Sequence, residues 1–212
     1  MNLLHRLYFR CIFLNDNWLA QTLAGWVRNP SSRSPERWNY EYAAGKWAGL
    51  KDISEQTHNA VLLGYVAYLR PDSTILEIGC GSGALFPYIA RLGYRRYMGI
   101  DISAVAINQC QPFRDDKTSF HATDAETYTP DFHPDVIVLN ETIYYFRQPI
   151  RTLERYSGYL AANGVFVLSL VDNTKTRTII RCLKKCFRLI DETEVSNSET
   201  AWHCLALTRL NA

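Results

Sequence analysis

From Thr74 to Thr208 the chain alternates short apolar runs with stretches of helical rhythm. Runs such as "VIVL" (Val136–Leu139) and "VFVLSL" (Val165–Leu170) do not alternate apolar and polar residues. That is the pattern of strands buried on both faces of a mostly parallel sheet. It predicts strands at Thr74–Ile78, Tyr97–Asp101, Ser119–Ala122, Asp135–Asn140, Val165–Leu170, Arg188–Val195 and Trp202–Thr208. Helices are predicted at Ser54–Leu69, stopped by Pro71, and near Leu85–Leu92, Ala104–Gln109, Ile150–Leu160 and Thr176–Cys186. The last two strands, joined by "SNSET", read as an antiparallel hairpin. The alternation predicts an α/β fold with a doubly wound, mostly parallel seven-stranded sheet.

The N-terminal residues follow a different rhythm. In "MNLLHRLYFRCIFL" the residues Leu3, Leu4, Leu7, Tyr8, Cys11 and Ile12 share one helical face, with His5, Arg6 and Arg10 off it. "NDNW" reads as a break and recap before a second short helix, Trp18–Val27. Three readings of this segment stand: packing on its own domain, homodimerisation through these helices, or docking on a membrane surface. No small-residue cleavage site follows an apolar core, so it does not read as a signal peptide. "RNPSSRSPER" (Arg28–Arg37) is a linker by composition. Residues 1–37 are therefore expected to be a helical extension and linker, and residues 38–212 the main domain. The latter opens on "WNYEYAAGKWAGL", where Trp38, Tyr40, Tyr42 and Trp47 crowd into ten residues. That cluster is either a lid over a ligand, with Tyr40, Tyr42 and Trp47 framing it, or a helix packed on the sheet edge.

Charge narrows the class. A net charge of +2 over 212 residues is too mild for the concentrated basic patch of a nucleic-acid binder. The helix "RTIIRCLKKCFR" (Arg177–Arg188) is basic on one side, which reads as a solvated face by default, the alternative being contact with an acidic sugar or a membrane phosphate. No apolar stretch is long enough to span a bilayer. The six cysteines, Cys11, Cys80, Cys110, Cys182, Cys186 and Cys204, form no CxxC pair and no disulfide framework. Reduced thiols, a cytoplasmic location and no metal site are expected.

The chemistry concentrates in "EIGCGSG" (Glu77–Gly83), at a predicted strand-to-helix crossing. Glycine permits positive φ and close approach of a ligand to the backbone. In an open parallel sheet this is the carboxyl edge, where ligands bind. Asp101, at the end of the next strand, is placed to accept hydrogen bonds from ribose hydroxyls. The ligand is therefore a nucleoside. Dinucleotide sites use G-x-G-x-x-G around a pyrophosphate, whereas Gly79, Gly81 and Gly83 are spaced G-x-G-x-G. Glu77, two residues before the loop, would repel a pyrophosphate but suits an ammonium. S-adenosylmethionine has a nucleoside, an ammonium and no phosphate.

Four segments in order carry a family resemblance. "ILEIGCGSG", "GIDIS", "ATDAE" (Ala122–Glu126) and "DVIVLNETIYYF" (Asp135–Phe146) resemble successive motifs of the class I S-adenosylmethionine-dependent methyltransferases. The resemblance covers Thr74 to Leu170, and the closing helix and strand pair suit the family's reversed last strand. It implies that Gly79, Gly81 and Gly83 pass under the methionine part of S-adenosyl-L-methionine, with Glu77 ordering that loop. It implies that Asp101 holds the ribose, Ile102 packs on the adenine, and Asp124 beside Ala125 accepts from the adenine amino group. Asn140 and Glu141 would approach the methionyl group and the reacting methyl. Glu141 is the candidate base, and Tyr144 and Tyr145 are candidate walls of the acceptor pocket or packing residues. His203 either reaches the site or packs in the core, and His121 reads as structural. "WxYEYxxGxW" and "NETIYYF" are similar to small methyltransferases of bacterial secondary-metabolite and saccharide pathways, including the nodulation N-methyltransferase type. The expected reaction is methyl transfer to an oxygen or nitrogen of a small, sugar-like or secondary-metabolite acceptor. Alternatives are a protein or nucleic-acid methyltransferase, a nicotinamide oxidoreductase and a non-catalytic binding protein. "NETIYY" departs from the Asn-Pro-Pro-aromatic signature, and no Tyr-x-x-x-Lys pair is placed for nicotinamide chemistry.

Overall fold

The computed structural model describes residues 34–210. The proposed helices within residues 1–30, the dimer contact assigned to them and Cys11 lie outside the described residues.

Seven strands form one sheet: β1 (Thr74–Ile78), β2 (Arg96–Asp101), β3 (Thr118–Ala122), β4 (Val136–Asn140), β5 (Val165–Val171), β6 (Phe187–Ser196) and β7 (Ala201–Arg209). Their order is β3-β2-β1-β4-β5-β7-β6. β1 to β5 pair in parallel, and β7 runs antiparallel to both β5 and β6. β7 is thus the reversed strand, one in from the edge. The Asn197 carboxamide closes its hairpin with β6 by accepting from the Glu199 and Thr200 amides, both at 2.8 Å.

The apolar runs supply both faces because successive side chains alternate across a strand. Ile75, Tyr97, Val136 and Val138 pack under α2 (Gln56–Leu69), α3 (Phe86–Leu92) and α4 (Ala104–Gln109). Leu76, Met98, Ile137 and Leu139 pack under α5 (Pro149–Ser157) and α6 (Thr174–Cys186). Every predicted strand is present, with ends within one residue of expectation. α6 begins earlier than its apolar rhythm predicts because Asn173 caps it, accepting from the amides of Lys175 and Thr176 at 2.9 and 3.0 Å. α5 stops at Ser157, short of Leu160, where Gly158 follows.

The expected linker ends sooner than its composition suggested. α1 (Pro35–Ala43) is capped by Ser34, starts on a proline and crosses the 37/38 boundary. Asn39 anchors it: its side-chain Oδ1 accepts from Ser103 Oγ at 2.8 Å and from the Val105 amide at 3.2 Å. α1 is therefore docked at the start of α4, over the carboxyl edge of the sheet. Among the described residues no helix is long and apolar enough to cross a membrane, and all five cysteines there are free.

Candidate active site

A cavity of about 390 Å³ opens where β1, β2 and β4 end and α1 and α2 approach. Its floor is the glycine loop. The amides of Gly79 and Cys80 both donate to the Ile100 carbonyl, at 2.7 and 3.0 Å, which ties the loop to β2. Gly79 and Gly81 have φ of 72° and 55°, the left-handed region that costs other residues about 1–2 kcal/mol. Both line the cavity. Gly83 does not. It lies beneath the loop, where a Cβ would stand 3.2–3.3 Å from the Phe113 ring and Cys110 Sγ. Its φ of 74° turns the chain inward to start α3.

Asp101 joins two loops. Its Oδ2 accepts from the Gly81 amide at 2.9 Å and its Oδ1 from the Ser103 amide at 2.8 Å. Burial raises its pKa, and the amides of Ser103, Gly81 and Ile102 act against that rise. A carboxylate has about four acceptor positions, so capacity remains for a further donor in the cavity. Ile102, Asp124 and Ala125 line the same wall. Asp124 accepts from the Glu126 amide at 2.8 Å. The Ala125 carbonyl is fixed by Arg155 and by the Tyr156 hydroxyl, at 2.6 and 2.9 Å. Glu77 is 2 % exposed and accepts a 2.5 Å hydrogen bond from the Tyr97 hydroxyl. Burial pushes its carboxyl up to about 7, with Tyr97 opposing and the Asp101 charge adding.

The β4 exit makes the opposite wall. Asn140 donates to Asn59 at 2.8 Å and accepts from Ser169 at 2.6 Å. Glu141 then takes a left-handed backbone, φ 54°. Ser169 Oγ holds that turn by accepting from the Glu141 amide at 3.0 Å. Glu141 Oε2 accepts from the Tyr144 hydroxyl at 2.8 Å and the Val171 amide at 3.1 Å. Its Oε1 is buried without a hydrogen-bond partner among the described residues. Burial raises this carboxyl to about 7, against the hydrogen bonds it receives. A strained backbone carrying a half-satisfied buried acid is an arrangement found at functional sites.

The aromatic cluster closes over the loop. Trp38, Tyr42 and Trp47 line the cavity. Trp38 meets Tyr145 edge-on at 5.0 Å and Trp47 at 5.4 Å. The Tyr42 hydroxyl would stand 2.4 Å from a Cβ at Gly81, so it rests on the loop's open face. Tyr40 was expected with them and is not: it is 61 % exposed and off the cavity. The helix period explains it, since Trp38 and Tyr42 are four apart on one face and Tyr40 falls on the other.

Pattern reading missed part of the wall. Glu55, His58, Asn59 and Trp202 also line the cavity. His58 and Asn59 are 1 % and 2 % exposed, and the His58 ring lies 4.7 Å from Trp202. Burial lowers the His58 pKa to about 4, with Asn140 working the other way. The available signal was a polar pair inside an otherwise apolar helix. His121 is exposed on β3. His203 is buried away from the cavity, with Nε2 3.1 Å from Asp172. On the basic helix, Arg177 pairs with Asp172 and Lys184 with Glu192.

Residues 52–207 match the family described as "Methyltransferase domain". The chain belongs to that family. Its fold is that of the class I S-adenosylmethionine-dependent methyltransferases. Among curated proteins the chain is 32 % identical over 87 residues to a ribosomal protein L11 methyltransferase of Aquifex aeolicus, covering 41 % of this chain and 36 % of the relative. It is 29 % identical over 120 residues to a trans-aconitate 2-methyltransferase of Methylobacterium radiotolerans, covering 56 % of this chain and 46 % of the relative. The alignments thus span less than half of either relative. Among solved structures, the N-methyltransferase NodS of Bradyrhizobium japonicum, in complex with S-adenosylhomocysteine, superposes with a TM-score of 0.65 at 23 % identity. That match covers 76 % of this chain and 90 % of NodS.

Proposed function

We propose that this protein is an S-adenosylmethionine-dependent methyltransferase that acts on a small molecule, and that it works in the cytoplasm. The observation that carries the reading is Asp101, which fixes Gly81 and Ser103 and still faces the cavity. The residues suit the cofactor: a bare glycine floor for the methionine part, an acid for the ribose, and Ile102, Asp124 and Ala125 for the adenine. When bound, S-adenosylmethionine supplies an electrophilic methyl group on a sulfonium. The chain supplies position, water exclusion and a base. Trp38, Tyr42 and Trp47 cover the loop, and Glu141 sits beside Tyr144 and Tyr145 where an acceptor would enter. Positioning accounts for most of the acceleration in such a displacement. A cavity of about 390 Å³ favours a small acceptor over a folded macromolecule.

Calorimetric titration tests this reading. S-adenosylmethionine and S-adenosylhomocysteine should both bind. Asp101→Ala should weaken both by about a hundredfold, since it removes charge-assisted bonds of about 1.5–3 kcal/mol each. Wild-type protein that binds neither ligand would sink the proposal.

A further inference from the structure

The cavity wall has an uneven charge. Six carboxylates line it, from Glu55, Glu77, Asp101, Asp124, Glu126 and Glu141. Arg147 is the one cationic side chain among the described lining residues, and it lies 3.9 Å from Glu126. Four of the acids have evident work. Glu77 holds Tyr97, Asp101 holds the loop, Asp124 holds the Glu126 amide, and Glu126 holds the amides of Arg147 and Gln148.

Glu55 is left on the acceptor side with Glu141, whose Oε2 holds Tyr144 and Val171 but whose Oε1 holds nothing among the described residues. Both line the same cavity, and the charge of Glu55 adds to the effect of burial on Glu141. Glu55 is itself raised, by burial and by Asp52. Beside them, His58 Nε2 stands 3.9 Å from Glu55 Oε2. Burial keeps that ring neutral, so it offers no compensating charge. The buried polar atoms without a hydrogen-bond partner among the described residues include two here: His58 Nδ1, on a side chain 1 % exposed, and Glu141 Oε1. Tyr144 and Lys175 also approach: the Tyr144 hydroxyl donates to Glu141, and Lys175 Nζ donates to the Tyr144 carbonyl. Paired carboxylates with no cation between them destabilise each other. Trp38, Trp47 and Tyr145 line the same cavity, and aromatic rings of this kind favour a cation.

We propose that this part of the cavity takes an amine, held as its ammonium between Glu55 and Glu141, with Glu141 as the base that frees its lone pair. The proposal rests on the methyltransferase reading above. One proton passes from the ammonium nitrogen to Glu141, leaving a neutral amine and a neutral carboxyl. The nitrogen lone pair then forms the N–C bond as the C–S bond breaks, and the electron pair of that bond stays on sulfur. The methylated nitrogen carries the positive charge that sulfur gives up, and Glu55 remains ionised to hold it. A neutral hydroxyl acceptor would leave the second carboxylate uncompensated.

The test is calorimetric binding of benzylamine and benzyl alcohol to the protein saturated with S-adenosylhomocysteine. Benzylamine should bind at least about tenfold more tightly than the alcohol, the worth of one charge-assisted contact. Glu55→Gln and Glu141→Gln should each remove that preference while S-adenosylhomocysteine still binds. Equal affinity for amine and alcohol in the wild type overturns the proposal. So does a preference that survives both substitutions. Failure of S-adenosylhomocysteine to bind the wild type would instead strike the methyltransferase reading.

Discussion

Along the ends of β1, β2 and β3 the cavity is lined from short loops that carry Gly79, Gly81, Asp101 and Asp124. Along α1, α2 and the β4 exit it is lined by Trp38, Tyr42, His58, Asn59 and Glu141. The first half rests on contacts close in sequence. Asp101 meets Gly81 across twenty residues of adjacent strands and Ser103 two residues on. The second half rests on long-range contacts, such as Asn140 to Asn59 and Trp38 to Tyr145. A loop that must bind a fixed cofactor is constrained at every residue. A wall that must bind an acceptor is constrained only in the chemistry it presents.

The sharpest division between the halves is predicted at Glu141. If it is the base, Glu141→Gln should lower kcat by about a hundredfold or more and leave S-adenosylhomocysteine affinity unchanged. Its carboxyl sits near 7, and the base is the ionised form, so kcat/KM should rise as pH increases through about 7. Glu77 has a carboxyl in the same range. The two are separable by their variants: Glu141→Gln should lose the rising limb, and Glu77→Gln should keep it. A limb that persists in Glu141→Gln would move the base elsewhere.

Glu77 should speak through stability instead. Its carboxyl is protonated in the fold up to about 7, against an ordinary value of 4.5. Between those values the folded chain holds a proton that the unfolded chain has lost. Stability is therefore present below about 4.5 and falls as pH rises to about 7. Glu141 adds a like contribution over the same window. Glu77→Gln keeps an acceptor for the Tyr97 hydroxyl and removes the titration. Denaturant melts from pH 4.5 to 7.5 should lose roughly 3 kcal/mol of their pH dependence in this variant. An unchanged slope would mean that water reaches Glu77.

Those two acids also mark what the sequence could and could not say. The sheet was readable because runs such as "VIVL" must be buried on both faces, and the loop because three glycines sit between a strand and a helix. The places of Glu77, Asp101 and Asp124 followed from that topology. Gly83, expected under the cofactor with the other two, does not line the cavity, and spacing does not distinguish a glycine under a ligand from one under a helix. Glu55, His58 and Asn59 were missed because their meaning comes from Asn140 and Glu141, more than eighty residues away. A polar pair in an apolar helix signals a buried site but not which one.

A smaller effect joins the halves at the lid. Gly81→Ala should cost about 1–2 kcal/mol for its left-handed backbone, and its Cβ would meet the Tyr42 hydroxyl at 2.4 Å. The next Tyr42 atom lies at 3.4 Å. Tyr42→Phe should therefore recover the part of the loss due to crowding and leave the part due to strain. A double-mutant cycle on S-adenosylhomocysteine affinity reads the difference. Strictly additive losses would show that the lid does not bear on the loop.

The smallest expected effect checks which face of α1 does the covering. Tyr40 and Trp38 are two residues apart on one helix, but only Trp38 touches Tyr145 and the cavity. Tyr40 is mostly in solvent, with Lys46 Nζ 5.3 Å from its ring. Removing a surface ring of this kind changes stability by no more than about 0.5 kcal/mol. Tyr40→Ala should leave S-adenosylhomocysteine affinity and turnover within about twofold of the wild type. Trp38→Ala removes a half-buried edge-to-face contact with Tyr145, worth about 0.5–1.5 kcal/mol beyond its area, and should weaken affinity measurably more. The order of the two variants is the decisive quantity, because each removes one aromatic ring, from opposite faces of the same helix. If Tyr40→Ala proved the more damaging, α1 would have to turn by about half a revolution when ligand binds, and the covering surface would be the one now facing water.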